Sequence, residues 1–190
     1  MDERRREVSE LAPSVWLHGF SDDASAWTAV GRAHVIADNL IALGKAKPML
    51  IVMPLGYGAP EIVSRNGPPL RDPALRQRNY DKFRDALFTE VMPEVEKTYR
   101  VSKDRNSRAI AGLSMGGAES LYVALNALDR FAWIGAFSSG GLAQASEFDS
   151  IFPALDAKAN AMLMDSPNSL HSCSRENPHS SITIFPTPSL

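Results

Sequence analysis

The chain carries two kinds of hydrophobic pattern along its first 141 residues. Four short, nearly continuous apolar runs predict buried strands, at 15–17, 49–53, 108–112 and 133–137. Three longer segments have apolar residues at three- and four-residue spacing and predict helices, at 29–43, 81–99 and 115–128. Because strands and helices alternate, the pattern predicts an α/β fold with a mostly parallel sheet and helices on both of its faces.

Local features refine these elements. The first helix has its apolar residues on one side and a stop at Gly44; these residues are Val35, Ile36, Leu40, Ile41 and Leu43. The run 49–53 holds no polar residue, so we expect a strand buried on both faces. Pro93 should kink or split the second helix, because proline lacks the N–H group that a helix interior needs.

The remaining segments suggest a single domain with two dissimilar ends. Residues 1–13 form an N-terminal extension, 14–163 an α/β core, and 164–190 a tail. Seven of the last 25 residues are serine and four are proline, which predicts an irregular, poorly ordered tail where only Ile182–Phe185 could form a strand. Residues 55–79 are rich in glycine and proline. They fit two interpretations equally well: a flexible loop without a role, or a loop that covers the substrate.

Composition excludes several classes of partner. With 190 residues and a formal net charge of −2, the chain suits one globular domain and gives no electrostatic reason to bind nucleic acid or a membrane surface. The single cysteine, Cys173, excludes an intramolecular disulfide and a multi-cysteine metal site. No apolar run reaches signal-peptide or membrane-spanning length, so the sequence as written predicts a cytoplasmic protein.

The clearest chemical motif is Gly112-Leu113-Ser114-Met115-Gly116, which fits the G-x-S-x-G pattern between a predicted strand and a predicted helix. This context predicts a nucleophile elbow, in which a sharp turn lifts the Ser114 hydroxyl above the carboxyl edge of the sheet. The Met115 N–H would then stabilise an oxyanion at the helix N-terminus. The alternative is a phosphate-binding turn, but the Gly-Lys-Ser/Thr ending of such loops is absent.

A second motif, His18-Gly19-Phe20, follows the first predicted strand. A loop at this place commonly supplies the other oxyanion donor, and we predict the Phe20 N–H, with Ser21 as the alternative. His18 precedes the serine, whereas this fold places its catalytic base last. We therefore interpret His18 as an imidazole that anchors the loop.

Taken together, these motifs resemble the putative-esterase group of α/β-hydrolases, which includes esterase D and the feruloyl and acetylxylan esterases of bacterial xylan-degrading systems. The matching stretches are 17–23, 36–41, 51–54, 104–105 and 108–117, within a resemblance that covers residues 15–141. It implies a serine carboxylesterase that acts on small-molecule or carbohydrate esters, often sugar-linked acetyl or feruloyl groups, without metal or cofactor. Members of this group are often secreted.

The chain departs from that pattern after Ser114. The family has an acid and then a histidine near the C-terminus, but here Asp165, His171 and His179 all lie in the tail, and we interpret them as solvated residues. We therefore assign no acid or base. The sequence predicts the core piece of an esterase, incomplete at both ends, whose unpaired sheet edge would favour a homo-oligomer. A catalytically impaired remnant and an acyltransferase are the alternative functions.

Overall fold

A computed structural model describes residues 10–64 and 72–139, together with the backbone of 182–186. Two short 3₁₀ turns at Pro60–Val63 and Arg105–Ser107 complete the regular structure of these residues. In chain order the strands and helices are β1 (Ala12–Leu17), α1 (Ala26–Ala29), α2 (Ala33–Ala42), β2 (Met49–Val52), α3 (Pro73–Ala86), a π-helical turn (Leu87–Val91), α4 (Met92–Thr98), β3 (Ala109–Leu113), α5 (Met115–Leu125), β4 (Trp133–Phe137) and β5 (Ile182–Pro186).

The strands form one sheet in the order β2-β1-β3-β4-β5. The first four strands are parallel and β5 pairs antiparallel with β4. This arrangement confirms the predicted mostly parallel α/β sheet. The carboxyl ends of parallel strands lie at the same edge of the sheet, so the segments that follow β1, β3 and β4 lie together. His18 and Ser114 are therefore close to each other at this edge.

Helices cover both faces of the sheet, as predicted. On one face, Val15, Ile110 and Ile134 belong to the main core with α5, all of whose residues are buried. Side chains alternate along a strand, so Trp16 points to the opposite face. There its ring meets Trp27 of α1 edge-on, with ring centroids 5.4 Å apart.

Burial in α2 and β2 is partial. In α2 only Ala33 is buried, and Ile36 is 54% exposed and Leu43 67% exposed, because α2 packs chiefly against α1 within the described residues. The prediction that the run 49–53 is buried on both faces is wrong. Met49–Val52 is half-buried, because β2 is an edge strand of this sheet with β1 as its neighbour.

The second predicted helix is longer than its apolar spacing indicates, and it is divided. It begins at Pro73, where the Asp72 carboxylate accepts a hydrogen bond from the Ala74 N–H at 2.9 Å. The helix is split near Pro93, as predicted: a π-helical turn ends at Val91, and Pro93 lies in the first turn of α4.

The C-terminal segment contributes β5, at the one stretch of the tail where the residues allow a strand. The other residues of the 164–190 tail, and positions 1–9 of the N-terminal extension, lie outside the described part of the chain. Among the helices that are described, none is long and apolar enough to cross a membrane.

Candidate active site

Ser114 occupies the sharp turn between β3 and α5. Its backbone angles are φ 53° and ψ −113°, a conformation that non-glycine residues rarely adopt and that costs about 1–3 kcal/mol. The Ser114 N–H donates to the Phe137 carbonyl at 2.9 Å, which ties the turn to the end of β4. The side chain is exposed at the N-terminus of α5, as the G-x-S-x-G motif predicts.

Two glycines allow the chain to approach itself closely at this turn. A methyl group on Gly112 would overlap the Gly116 carbonyl oxygen, and one on Gly116 would lie 2.5 Å from the carbonyl oxygen of Leu17. The first turn of α5 therefore rests against the end of β1. As a result, a Cβ built on Gly19 would lie 3.8 Å from the Ser114 Cβ, so the two predicted catalytic motifs are neighbours in space.

Both predicted oxyanion donors belong to turns beside Ser114. Met115 is the first residue of α5, and its N–H has no partner within a helix. Phe20 lies in a turn closed by the Asp22 N–H, which donates to the Gly19 carbonyl at 3.2 Å. Ser21 has a φ of 70° in this turn, a backbone conformation that non-glycine residues adopt infrequently.

His18 is buried and both of its ring nitrogens bind backbone groups. The Gly56 N–H donates to Nε2 at 2.9 Å, so Nε2 is unprotonated. The proton therefore lies on Nδ1, which donates to the Gly19 carbonyl oxygen at 2.8 Å. With neither nitrogen available to a serine hydroxyl, His18 anchors the loop, in agreement with the interpretation from the sequence.

A buried polar pair that the motifs did not reveal lies below the turn. Glu119 and Asn79 are both fully buried, and Asn79 Nδ2 donates to Glu119 Oε1 at 2.7 Å. Burial raises the pKa of the Glu119 carboxyl well above its ordinary value, although the Asn79 hydrogen bond opposes this shift. In the sequence both residues look like ordinary polar positions on amphipathic helices, so tertiary packing alone reveals them.

The first part of the 55–79 segment packs over this region. Tyr57 meets the rings of His18 and Phe20 edge-on, and its hydroxyl donates to the Asp22 carbonyl at 3.0 Å. Partial burial raises the pKa of the Tyr57 hydroxyl. The same segment contributes to a small apolar cluster composed of Ala59, Ile62, Leu75 and Met115. Residues 55–64 are thus held against the candidate site, whereas 65–71 lie outside the described residues.

A cavity of about 140 Å³ opens beside the turn. Its walls are mainly apolar, with Leu113 and Gly19 on the side of the nucleophile and Ala26 and Trp27 from α1. The Trp27 indole N–H has no partner among the described groups. No set of three or more histidine, cysteine or acidic side chains in the described part of the chain could hold a metal ion.

The acid and base of a hydrolytic triad are not placed by this structure. Asp165, His171 and His179 all lie outside the described residues. Of the two histidines that are described, His18 is committed to backbone groups, and His34 is exposed on α2.

Comparison with known proteins agrees with this geometry. The model of the putative esterase family matches residues 10–172, which is most of the chain. The chain belongs to the putative esterase family. The match includes both Ser114 and the His18-Gly19 loop.

The relatives and solved structures that resemble this chain are considerably longer. An endo-1,4-β-xylanase/feruloyl esterase from Xylanibacter ruminicola is 33% identical over 132 residues, which is 69% of this chain and 17% of that protein. The structure of a CE1 ferulic acid esterase from Anaeromyces mucronatus, in complex with ferulic acid, matches with a TM-score of 0.60 at 30% identity, covering 69% of this chain and 47% of that one. Another ferulic acid esterase structure matches with a TM-score of 0.53 at 33% identity, covering 65% and 44%. The chain therefore spans less than half the length of each of these relatives.

Proposed function

We propose that this chain is a serine carboxylesterase in which Ser114 is the nucleophile and the Met115 and Phe20 amides form the oxyanion hole. The observation that carries the proposal is the Ser114 conformation, with a φ of 53° between a buried strand and a helix N-terminus. Strain of this kind persists only where the surrounding structure enforces it, and it is typical of catalytic positions. Membership of an esterase family supports the same chemistry.

In the proposed reaction the Ser114 Oγ attacks the ester carbonyl carbon while its proton passes to a general base. The carbonyl oxygen becomes an oxyanion, and the two amides would donate to it. One such donor is typically worth about 2.7–4 kcal/mol of transition-state stabilisation. The tetrahedral intermediate then collapses, the alcohol leaves with a proton, and an acyl-enzyme remains that water hydrolyses.

The general base is left unassigned in this proposal. Serine is a weak nucleophile without an adjacent base, and removing one member of a triad lowers kcat by several orders of magnitude. The preorganised oxyanion hole alone sustains a residual rate of about 10³–10⁴ over water in enzymes of this kind. Measured turnover will therefore report whether a base reaches Ser114 in the folded protein.

For the substrate we propose an acyl ester with an aromatic acid, such as a sugar-linked feruloyl group. The cavity beside Leu113 has a volume of about 140 Å³ and mainly apolar walls. A dry cavity of about 150 Å³ suffices to bind benzene in another protein, so this one suits a single aromatic ring. The names of the ferulic acid esterases above support the same class of acid. An acetyl group would leave most of the cavity empty.

The test compares the wild type with Ser114→Ala on p-nitrophenyl acetate and methyl ferulate, and measures labelling by a fluorophosphonate probe. We expect turnover and labelling in the wild type and loss of both in Ser114→Ala. Equal rates in the two proteins would remove Ser114 from the mechanism. A folded circular dichroism spectrum without labelling or turnover would instead favour the impaired remnant. Transfer of the acyl group to added xylose in preference to water would favour an acyltransferase.

A further inference from the structure

A continuous path of hydrogen bonds leads from the interior of α5 to the loop that carries Phe20. Glu119 lies five residues after Ser114 and accepts from Asn79 Nδ2. The Asn79 side chain also accepts from the Ala59 N–H at 2.9 Å, and its Nδ2 lies 3.4 Å from the Gly56 carbonyl oxygen. The Gly56 N–H in turn donates to His18 Nε2. The Gly56 segment therefore lies between two buried side chains. Asn79 contacts it on one side, and the His18 imidazole contacts it on the other.

The path ends on the peptide group that contains the proposed oxyanion donor. The Gly19 carbonyl and the Phe20 N–H belong to the same peptide unit and point in opposite directions, because the peptide is planar and trans. The carbonyl accepts from both His18 Nδ1 and the Asp22 N–H. Two donors on the carbonyl therefore fix the direction of the N–H and also polarise it, which strengthens it as a donor.

The backbone at Gly56 packs closely against the Glu119 carboxyl and the His18 ring. A Cβ at this position would lie 2.9 Å from Glu119 Oε2 and 3.6 Å from His18 Nε2. Glu119 Oε2 itself has no hydrogen-bond partner among the described groups. A buried polar atom without a partner is costly, so the presence of a carboxyl group here calls for an explanation.

We propose that Glu119 and Asn79 are positioning residues for the oxyanion hole, acting through the Gly56 segment and the His18 imidazole on the Gly19–Phe20 peptide. The inference rests on the proposed function, because Phe20 donates to an oxyanion only if Ser114 forms one. It assigns a positioning role to two residues outside the sequence motifs, neither of which is a catalytic residue. Burial disfavours the charged form of the Glu119 carboxyl and raises its pKa.

Two substitutions at His18 separate its two hydrogen bonds. Asparagine places an amide N–H near the position of Nδ1 and keeps a donor for Gly19, whereas glutamine places its amide near Nε2 and keeps a partner for Gly56. We expect His18→Asn to lower kcat about tenfold, because it disconnects Glu119 and Asn79 from the Gly19–Phe20 peptide. His18→Gln should lower kcat about 100-fold, because it removes a donor to the Gly19 carbonyl and a complete oxyanion donor is worth about 10²–10³. KM should change little in both. Equal losses in the two variants would overturn the assignment of His18 Nδ1 as the positioning group.

Substitutions at Glu119 test the far end of the path. Glu119→Gln keeps a neutral acceptor for Asn79 and should retain kcat within about twofold, whereas Glu119→Leu should lower kcat about tenfold without raising KM, as expected for partial loss of an oxyanion donor. Val123→Ala removes buried volume from the same helix and serves as the control for destabilisation alone. A tenfold loss of kcat in Val123→Ala, or none in Glu119→Leu, would contradict the proposal.

A spectroscopic measurement keeps this inference independent of turnover. Ring nitrogen and proton NMR of the ¹⁵N-labelled protein, with His18 assigned by the His18→Gln variant, should show Nδ1 protonated and Nε2 unprotonated at neutral pH. Glu119→Leu should shift the His18 ring and Phe20 amide signals, and Glu119→Gln should leave them in place. An Nε2-protonated ring, or unshifted signals in Glu119→Leu, would overturn the path even if Ser114 is the nucleophile. If Ser114→Ala retains activity while these shifts occur, the proposed function fails and the path stands as a structural feature.

Discussion

Replacing Ser114 with glycine should stabilise this protein while abolishing its proposed activity. Ser114 has a φ of 53° and a ψ of −113°, where a Cβ is crowded by the backbone. Glycine has no Cβ and adopts this conformation freely. Ser114→Ala is the matched comparison, because alanine removes the hydroxyl and keeps the Cβ.

The expected magnitude follows from two opposing terms. Relief of the strained conformation contributes about 1–3 kcal/mol. Glycine also gives the unfolded chain more freedom, which costs about 0.5–1 kcal/mol. The free energy of unfolding of Ser114→Gly should therefore exceed that of Ser114→Ala by about 1 kcal/mol, near the middle of a net range of about 0–2.5 kcal/mol. For a chain of this size that difference corresponds to a rise in Tm of roughly 2–4 °C.

Urea unfolding followed by far-UV circular dichroism measures this difference. Val30 supplies the control, because it is 82% exposed and has an ordinary φ of −98°. At that position glycine should be less stable than alanine, by about 0.5–1 kcal/mol. If Ser114→Gly is also less stable than Ser114→Ala, the turn stores no strain, and the main structural argument for a nucleophile elbow is refuted.

Three further predictions concern packing, substrate and pH. Gly116→Ala should lower the free energy of unfolding by about 1–3 kcal/mol and abolish fluorophosphonate labelling, because the added methyl group would lie 2.5 Å from the Leu17 carbonyl oxygen. Unchanged labelling would show that the proposed site does not need close contact between β1 and α5. Ala26→Phe should fill the cavity and lower kcat/KM for methyl ferulate about tenfold while sparing p-nitrophenyl acetate, and an equal loss on both substrates would argue against an aromatic-acid site there. Because the folded-state pKa of Glu119 is raised above its unfolded value near 4.5, wild-type stability should fall as pH rises above that value. The free energy of unfolding of Glu119→Gln, relative to that of the wild type, should therefore rise by up to about 1.4 kcal/mol per pH unit above pH 4.5 until the folded-state pKa is reached, and urea titrations measure this change. A constant difference would mean that folding does not raise the pKa of Glu119.

The success of sequence-based prediction differed between elements for physical reasons. The runs around Ile110 and Ile134 form strands as predicted, because continuous apolar segments of that length have few alternatives to a buried sheet. The start of α3 was missed, since residues 73–80 carry few apolar side chains and their helix depends on the Asp72 cap and on contacts of Leu75 and Tyr80. The apolar side of α2 follows from the spacing of its residues, but most of that side is exposed, because periodicity shows only that a face exists and not whether another element covers it.

The sequence by itself determined the α/β class and the strand-to-helix turn at Ser114, because these depend on local apolar runs and on glycines within a few positions of the residue concerned. The buried Glu119–Asn79 pair, the contact of Gly19 with Ser114 and the cavity beside Leu113 were decided by the tertiary structure alone. Each depends on contacts between residues far apart in the chain, and a polar residue on a helix looks the same in sequence whether it faces water or the interior of the protein.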